Sequence, residues 1–260
     1  MPDKIFSQGT TTGPDRHSEV IETAGQSTFA ADRRYFLQAV AIASAGTALA
    51  IRDQAQAADT AASGSAEALP VETPAAAVAA LLAGNKRFVA GRMTSCQVPL
   101  GKLLKETVEK QEPFAAVLSC ADSRVPVEMV FDQELGKLFV VRVAGNIATP
   151  EIIASLEYGV AVLGTKLILV MGHGNCGAVK ATISAKPVPG QISSLYQFIQ
   201  PAVQQAGHHL DAAIRANARI QAALLAQSSP VLAKAIADGK LQIAPAYYNL
   251  ANGTVTVLKA

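Results

Sequence analysis

Lys166-Leu167-Ile168-Leu169-Val170-Met171, running straight into Gly172-His173-Gly174-Asn175-Cys176-Gly177, decides how this chain folds. A short, nearly all-apolar run closed by glycine reads as a strand covered on both faces, as in parallel sheets. Upstream, Phe114 to Cys120 is a similar apolar run, and Lys137 to Val143 is another, ending at Ala144-Gly145-Asn146. Between the second and third runs, Thr149-Pro150 supplies an N-cap and a first-turn proline, and Gly164 stops the helix they start. A helical pattern also runs from residue 76 to Phe88. Helical segments fill much of 176–238, with Ser229-Pro230 opening the last and Gly239 ending it. Leu241 to Ala246 and Thr254 to Leu258 close the chain as strands. Strands alternating with helices predict an α/β fold, a mainly parallel central sheet wrapped by helices. No internal repeat is present.

The chain has 260 residues, half of them hydrophobic and 16% charged, which excludes extended disorder over most of its length. A net charge of +2 carries no electrostatic footprint for nucleic acid. Three cysteines are too few for a disulfide scaffold at this length. No apolar run reaches the roughly 18 residues that span a bilayer, so membrane insertion is not expected. The N-terminus reads as an address. Residues 1–31 are polar and without period; Arg33-Arg34 then precede Phe36-Leu37, a mild apolar run spans Ala39 to Ile51, and Ala55-Gln56-Ala57 offers a small-residue exit. Charged head, apolar middle and small exit predict an export signal over 1–57, removed after Ala57. The paired arginines make it twin-arginine-like, a route that carries folded proteins to the periplasm or beyond. Residues 58–75 read as a flexible leader, and 76–260 as one catalytic domain.

In parallel α/β sheets, ligand sites lie beyond the carboxyl ends of the strands. The first strand ends at Cys120-Ala121-Asp122-Ser123-Arg124 and the third at Gly172-His173-Gly174-Asn175-Cys176-Gly177. Neighbouring strand ends would bring Cys120, His173 and Cys176 together. Two thiolates and an imidazole are ligands of the type zinc prefers, and three protein ligands leave a fourth position open for chemistry. The same third-strand loop also satisfies G-x-G-x-x-G, the dinucleotide fingerprint. That fingerprint wants an acidic residue about 20 positions on, and none occurs between Glu157 and Asp211. The cofactor reading is rejected. His208-His209 read as a solvated helix start rather than a second metal site. Cys96, in a polar stretch, reads as free or as paired between chains.

Cys120-x-Asp122-x-Arg124 together with His173-x-x-Cys176 resembles the zinc site of the β-class carbonic anhydrases, over roughly residues 76–260. The resemblance implies one Zn2+ per subunit on Cys120, His173 and Cys176, and a homodimer or a multiple of dimers. It also implies that Gln111, Phe139 and Tyr158 line the substrate pocket, Gln111 reaching in from a partner subunit. The ending Tyr248-Asn-Leu-Ala-Asn-Gly253-Thr-Val is similar too. Val143 departs from the asparagine that many members carry after the strand arginine. Val117 stands where the bicarbonate-inhibited subtype places tryptophan.

The implied activity is reversible hydration of carbon dioxide to bicarbonate and a proton, by hydroxide on the metal. Two thiolates cancel the formal charge of zinc and weaken it as a Lewis acid, so a further group must help. Asp122 is that group: gripped by Arg124 it stays ionised, accepts the hydroxide proton and turns a lone pair toward the substrate. Released from Arg124, Asp122 becomes a possible fourth ligand in a closed state. Gly177, at a helix start, offers backbone N–H groups to a bicarbonate oxygen. Two alternatives stay open: a carbon disulfide or carbonyl sulfide hydrolase on the same scaffold, and a non-catalytic zinc-binding module.

Overall fold

The computed structural model describes residues 71–259. The expected export signal and most of the expected leader lie outside them. Five strands form one sheet in the order β2-β1-β3-β4-β5: β1 (Ala115–Ser119), β2 (Leu138–Arg142), β3 (Leu167–His173), β4 (Gln242–Tyr248) and β5 (Val255–Val257). The first four are mutually parallel, and β5 returns antiparallel to β4. The fold is thus the expected α/β arrangement, with a mainly parallel sheet flanked by helices.

The period of two along the strands divides the core. Ala115, Val117, Leu167, Leu169 and Met171 face one layer with Ala77 and Leu81 of helix α1 (Pro74–Val89) and Val127 and Val130 of the short helix α3 (Val127–Val130). Ala116, Leu118, Ile168 and Val170 face the other, against Leu156 of α4 (Pro150–Ala161), Leu225 of α7 (Leu210–Ser228) and Leu232 of α8 (Pro230–Ala237). Every residue of β3 is buried, which explains its uninterrupted apolar run.

Thr73 caps α1, its Oγ1 accepting from the Ala76 N–H at 3.1 Å. Val71 already packs on the core. The domain therefore begins before the expected boundary at 75. Thr73-Pro74 is the same start signal as Thr149-Pro150, masked by the alanine- and proline-rich stretch on either side of it. Gly84 lets α1 lie against the end of α3, since a Cβ there would collide with the Phe131 carbonyl. Asp132, fully buried, ties the next loop down: its carboxylate accepts from Arg87 Nε (2.5 Å), Thr94 N (3.0 Å) and Ser95 N (2.9 Å). Burial pushes this carboxyl up, but the Arg87 guanidinium and those N–H groups outweigh it and hold it below the usual range. The short helix α2 (Leu100–Thr107) follows, with Cys96 just before it exposed and unbonded to the other cysteines. His209 caps α7, and both it and His208 are exposed, as the solvated-start reading expected.

The connections create the site. From β1 the chain moves to β2 on one side, then crosses back over β1 through α4 to β3 on the other. The winding direction reverses between β1 and β3, and ligands in open α/β sheets bind at such a reversal.

Candidate metal centre

β1 ends at Ser119 in register with Met171, so Cys120 follows level with Gly172, and His173 closes β3 beside it. Asn175, with φ +57°, makes the turn tight enough that Cys176 caps the next helix, α5 (Gly177–Ser184). Ligand atoms of Cys120, His173 and Cys176 lie within 4.8 Å of one another, and all three residues are buried. The two sulfurs are 4.0 Å apart.

His173 is oriented by its neighbour. Nδ1 lies 2.9 Å from the Gly174 carbonyl, which can only accept, so Nδ1 carries the proton and Nε2 is left with its lone pair. Nε2 is buried with no hydrogen-bond partner, an arrangement that costs free energy unless something electropositive completes it. The thiols fit the same role. The hydrogen bond with Cys176 draws Cys120 well below the ordinary thiol range, outweighing burial, with the Gly145 N–H adding to it. Cys176 is pushed up by the same bond and by burial. Thiolate character at the cluster is what a metal ligand requires. Two sulfurs and one unpartnered imidazole nitrogen could hold a metal ion of zinc's type.

Beside the cluster, Asp122 and Arg124 form a bidentate pair. Arg124 donates from Nε to Oδ1 at 2.9 Å and from Nη2 to Oδ2 at 2.7 Å, and its backbone N–H adds a bond to Oδ1 at 3.0 Å. The Arg124 side-chain bond holds the Asp122 carboxyl far below the usual carboxylate range. Asp122 Oδ2 sits 3.8 Å from His173 Nε2, at the mouth of the cluster, with the aspartate side chain 17% exposed. The carboxylate thus borders the metal site while its own charge is engaged by Arg124.

Sequence reasoning passed over two residues that shape this corner. Arg142, at the end of β2, donates from Nε to the Cys120 carbonyl (3.0 Å) and from Nη2 to the Asp122 carbonyl (2.6 Å), fixing the backbone that carries both side chains. Gly145 donates its N–H to Cys120 Sγ at 3.3 Å. A charged residue at a strand's carboxyl end was the available signal for Arg142; for Gly145 it was the Ala144-Gly145-Asn146 break just after that strand.

Comparison with known proteins agrees with this geometry. The family model described as carbonic anhydrase matches residues 115–255. A carbonic anhydrase of Mycolicibacterium smegmatis is 38% identical over 195 residues, covering 72% of this chain and 94% of the relative. The chain belongs to the β-class carbonic anhydrase family. Carbonic anhydrase 2 of Mycobacterium tuberculosis is 36% identical, covering 71% of this chain and 93% of its own length. Among solved structures, a Coccomyxa β-carbonic anhydrase in complex with acetazolamide superposes with a TM-score of 0.57 at 28% identity, covering 68% of this chain and 84% of that one.

Within one chain, this family member does not bring every predicted residue to the metal centre. Gln111 is exposed and precedes β1, whereas Cys120 follows it, so at least about 16 Å of strand separates them. Phe139 pairs with Ala116 near the amino end of β1 and packs against Tyr158, the ring centroids 6.2 Å apart and the planes tilted by 39°. That pair sits on the outer edge of the sheet, where among the described residues β2 has no further strand beside it, and Tyr158 is 47% exposed. Gly177, by contrast, is at the centre: it follows Cys176 directly, and a Cβ there would meet nothing within 4 Å. A recess of about 710 Å³, bordered by Arg87, Phe114, Asp132, Lys137 and Lys166, opens at the amino ends of the strands and includes none of the Cys–His–Cys set. Among the described residues no helix is long and apolar enough to cross a membrane.

Proposed function

We propose that this protein hydrates carbon dioxide reversibly to bicarbonate and a proton, with one Zn2+ on Cys120, His173 and Cys176. The observation that carries the reading is the bidentate Asp122–Arg124 pair at the mouth of a buried Cys–His–Cys cluster. A purely structural zinc site is usually closed by a fourth protein ligand. Here the neighbouring carboxylate is instead occupied by an arginine. When bound, zinc supplies hydroxide near neutral pH by lowering the pKa of a water.

The protein's own groups do the rest. Ionised Asp122 can only accept, so it holds the proton of the attacking oxygen and aims a lone pair at the carbon of the substrate. Arg124 keeps it ionised and correctly turned. The open space beside Gly177, at the first turn of α5, gives an oxygen of the product room to approach the Gly177 N–H. Gln111, Phe139 and Tyr158 complete the pocket from a second copy of the chain, in a homodimer or a multiple of dimers. Their distance from Cys120 within one chain, and the unpaired edge of β2, support that assignment. Detached from Arg124, Asp122 would be free to take the fourth ligand position and close the site.

Hydration of carbon dioxide by the zinc-loaded chain should rise between pH 6 and 9. Arg124 holds Asp122 ionised throughout that interval, so the profile reports ionisation of the water and not of the carboxylate. A flat, near-zero rate with zinc bound, alongside turnover of carbon disulfide or carbonyl sulfide, would transfer the site to the sulfur substrates. Zinc bound with none of the three turned over would leave a binding module.

We also propose that residues 1–57 direct export by the twin-arginine route to the periplasm. Replacing Arg33-Arg34 by Lys-Lys should trap the precursor inside the cell, read by fractionation. Unchanged export would remove the claim.

A further inference from the structure

A buried polar chain leads from α7 to one of the three ligands. Asn217 and Gln221, one helical turn apart and both essentially inaccessible, lie in the middle of a helix otherwise packed with alanine, isoleucine and leucine. Asn217 Nδ2 donates to the Gly145 carbonyl at 2.8 Å. Gly145 in turn donates its N–H to Cys120 Sγ at 3.3 Å. Gln221 holds Asn217 in place, its Nε2 donating to Asn217 Oδ1 (3.2 Å) and to the Phe198 carbonyl (2.9 Å), while its Oε1 accepts from the Ala148 N–H (2.8 Å). The loop between β2 and α4 is thus grasped at Gly145 and Ala148 by two side chains from one helix.

Gly145 is the residue this needs. Its φ of +80° is open to glycine, and a Cβ there would stand 2.7 Å from Ile199 Cδ1. Asn217, flanked by Ala216 and Ala218, is a poor helix former in a helix interior, and burying an amide is costly unless every bond is made. An apolar residue would serve the packing alone. What the amide adds is orientation: tethering the Gly145 carbonyl fixes the φ and ψ of this glycine, and with them the direction in which its N–H points. An N–H aimed at a thiolate draws negative charge from the sulfur. Two thiolates otherwise cancel the charge of a divalent metal, so a bond that tempers one of them bears directly on the metal's acidity.

We propose that Asn217, held by Gln221, is a positioning residue that tethers Gly145 so that its N–H stays aimed at Cys120, orienting that sulfur and limiting its charge donation to the metal. Partners beyond the direct ligands typically change metal affinity by about 10- to 100-fold when removed. The inference rests on the metal-centre reading above.

Cobalt(II) in place of zinc in the full chain tests it, because thiolate-to-cobalt charge transfer reports on the sulfurs directly. Asn217→Leu should shift that band and weaken cobalt retention against a chelator by about 10-fold. Gln221→Met should move both in the same direction by less, and it decides the matter if Asn217→Leu does not fold. Leu225→Ala, on the same helix in the other core layer, serves as the control: it should lower the melting temperature with band and retention unchanged. Band and retention within twofold of the parent protein in the Asn217 and Gln221 variants would overturn the inference, as would an equal change in Leu225→Ala. A parent chain giving no thiolate band with cobalt would overturn the metal-centre reading itself, and this inference with it.

Discussion

Asp122→Asn should leave the fold and the bound zinc intact while carbon dioxide hydration falls by at least about 100-fold. The substitution is isosteric, so packing is unchanged. What changes is the charge, which is lost, and one acceptor, which becomes a donor. An amide places an NH2 where Arg124 Nη2 now donates to Oδ2 at 2.7 Å, and only one acceptor oxygen remains to serve both Arg124 and the attacking oxygen. Since Arg124 keeps Asp122 ionised far below pH 6, the loss should be equally deep at pH 6 and pH 9. A deficit that vanished at either end would mean the carboxylate acts by titrating, contrary to its role as a fixed acceptor. Arg124→Ala should cost nearly as much, by letting the carboxylate turn away, again with zinc retained. The double variant should be little worse than either single one, because the two side chains act as a unit and their effects do not add. Metal content by atomic emission and rates by stopped-flow pH indicator check all three. Turnover within about threefold of the parent protein in Asp122→Asn would remove the assigned role.

The second large effect falls on the metal itself. Cys176→Ala should lose zinc to a mild chelator and reduce hydration to background. The folding cost should be small: the substitution removes one buried heavy atom from the cluster around Ile147, Val179 and Ile199, worth about 1 kcal/mol, or roughly 2–4 °C in melting temperature for a domain this size. Two ligands would remain of three, and a site stripped of a thiolate loses most of its affinity for zinc. His173→Ala should behave alike at the metal but cost more in stability, since a fully buried ring leaves a larger hole. Retention of one zinc per chain in Cys176→Ala would show that the ion sits elsewhere.

Much of this was legible along the chain because it depends on local rules. An all-apolar strand such as Leu167–Met171 is forced by burial on both faces, and Thr149-Pro150 or Ser229-Pro230 starts a helix wherever it occurs. Ser229 caps α8 as its sequence suggested, its Oγ accepting from the Leu232 N–H at 3.1 Å. The cluster of Cys120, His173 and Cys176 was readable for the same reason: His173 and Cys176 share one tight turn, and Cys120 falls at a strand end. The strand was nevertheless expected to stop at Met171, and it continues to His173 because Gly172 and His173 pair with Tyr247 and Tyr248 of β4. A partner 75 positions downstream leaves no mark on those two residues.

The sequence by itself determined the strand cores, the helices opened by Thr149-Pro150 and Ser229-Pro230, the candidate ligand types and the Asp122–Arg124 spacing, since each follows from neighbours within a few positions; the short helices α2 and α3 carry no such signal. Only the tertiary structure decided that β1 lies between β2 and β3, which sets Cys120 level with Gly172 and turns three scattered residues into one cluster. It also decided that Arg142 grips the carbonyls of Cys120 and Asp122, that Asn217 reaches the Gly145 carbonyl behind Cys120, and that Gln111, Phe139 and Tyr158 lie away from the Cys–His–Cys cluster within one chain. These are contacts between residues far apart in sequence. Strand order and helix docking fix them by jointly burying apolar surface, and no local pattern records the outcome.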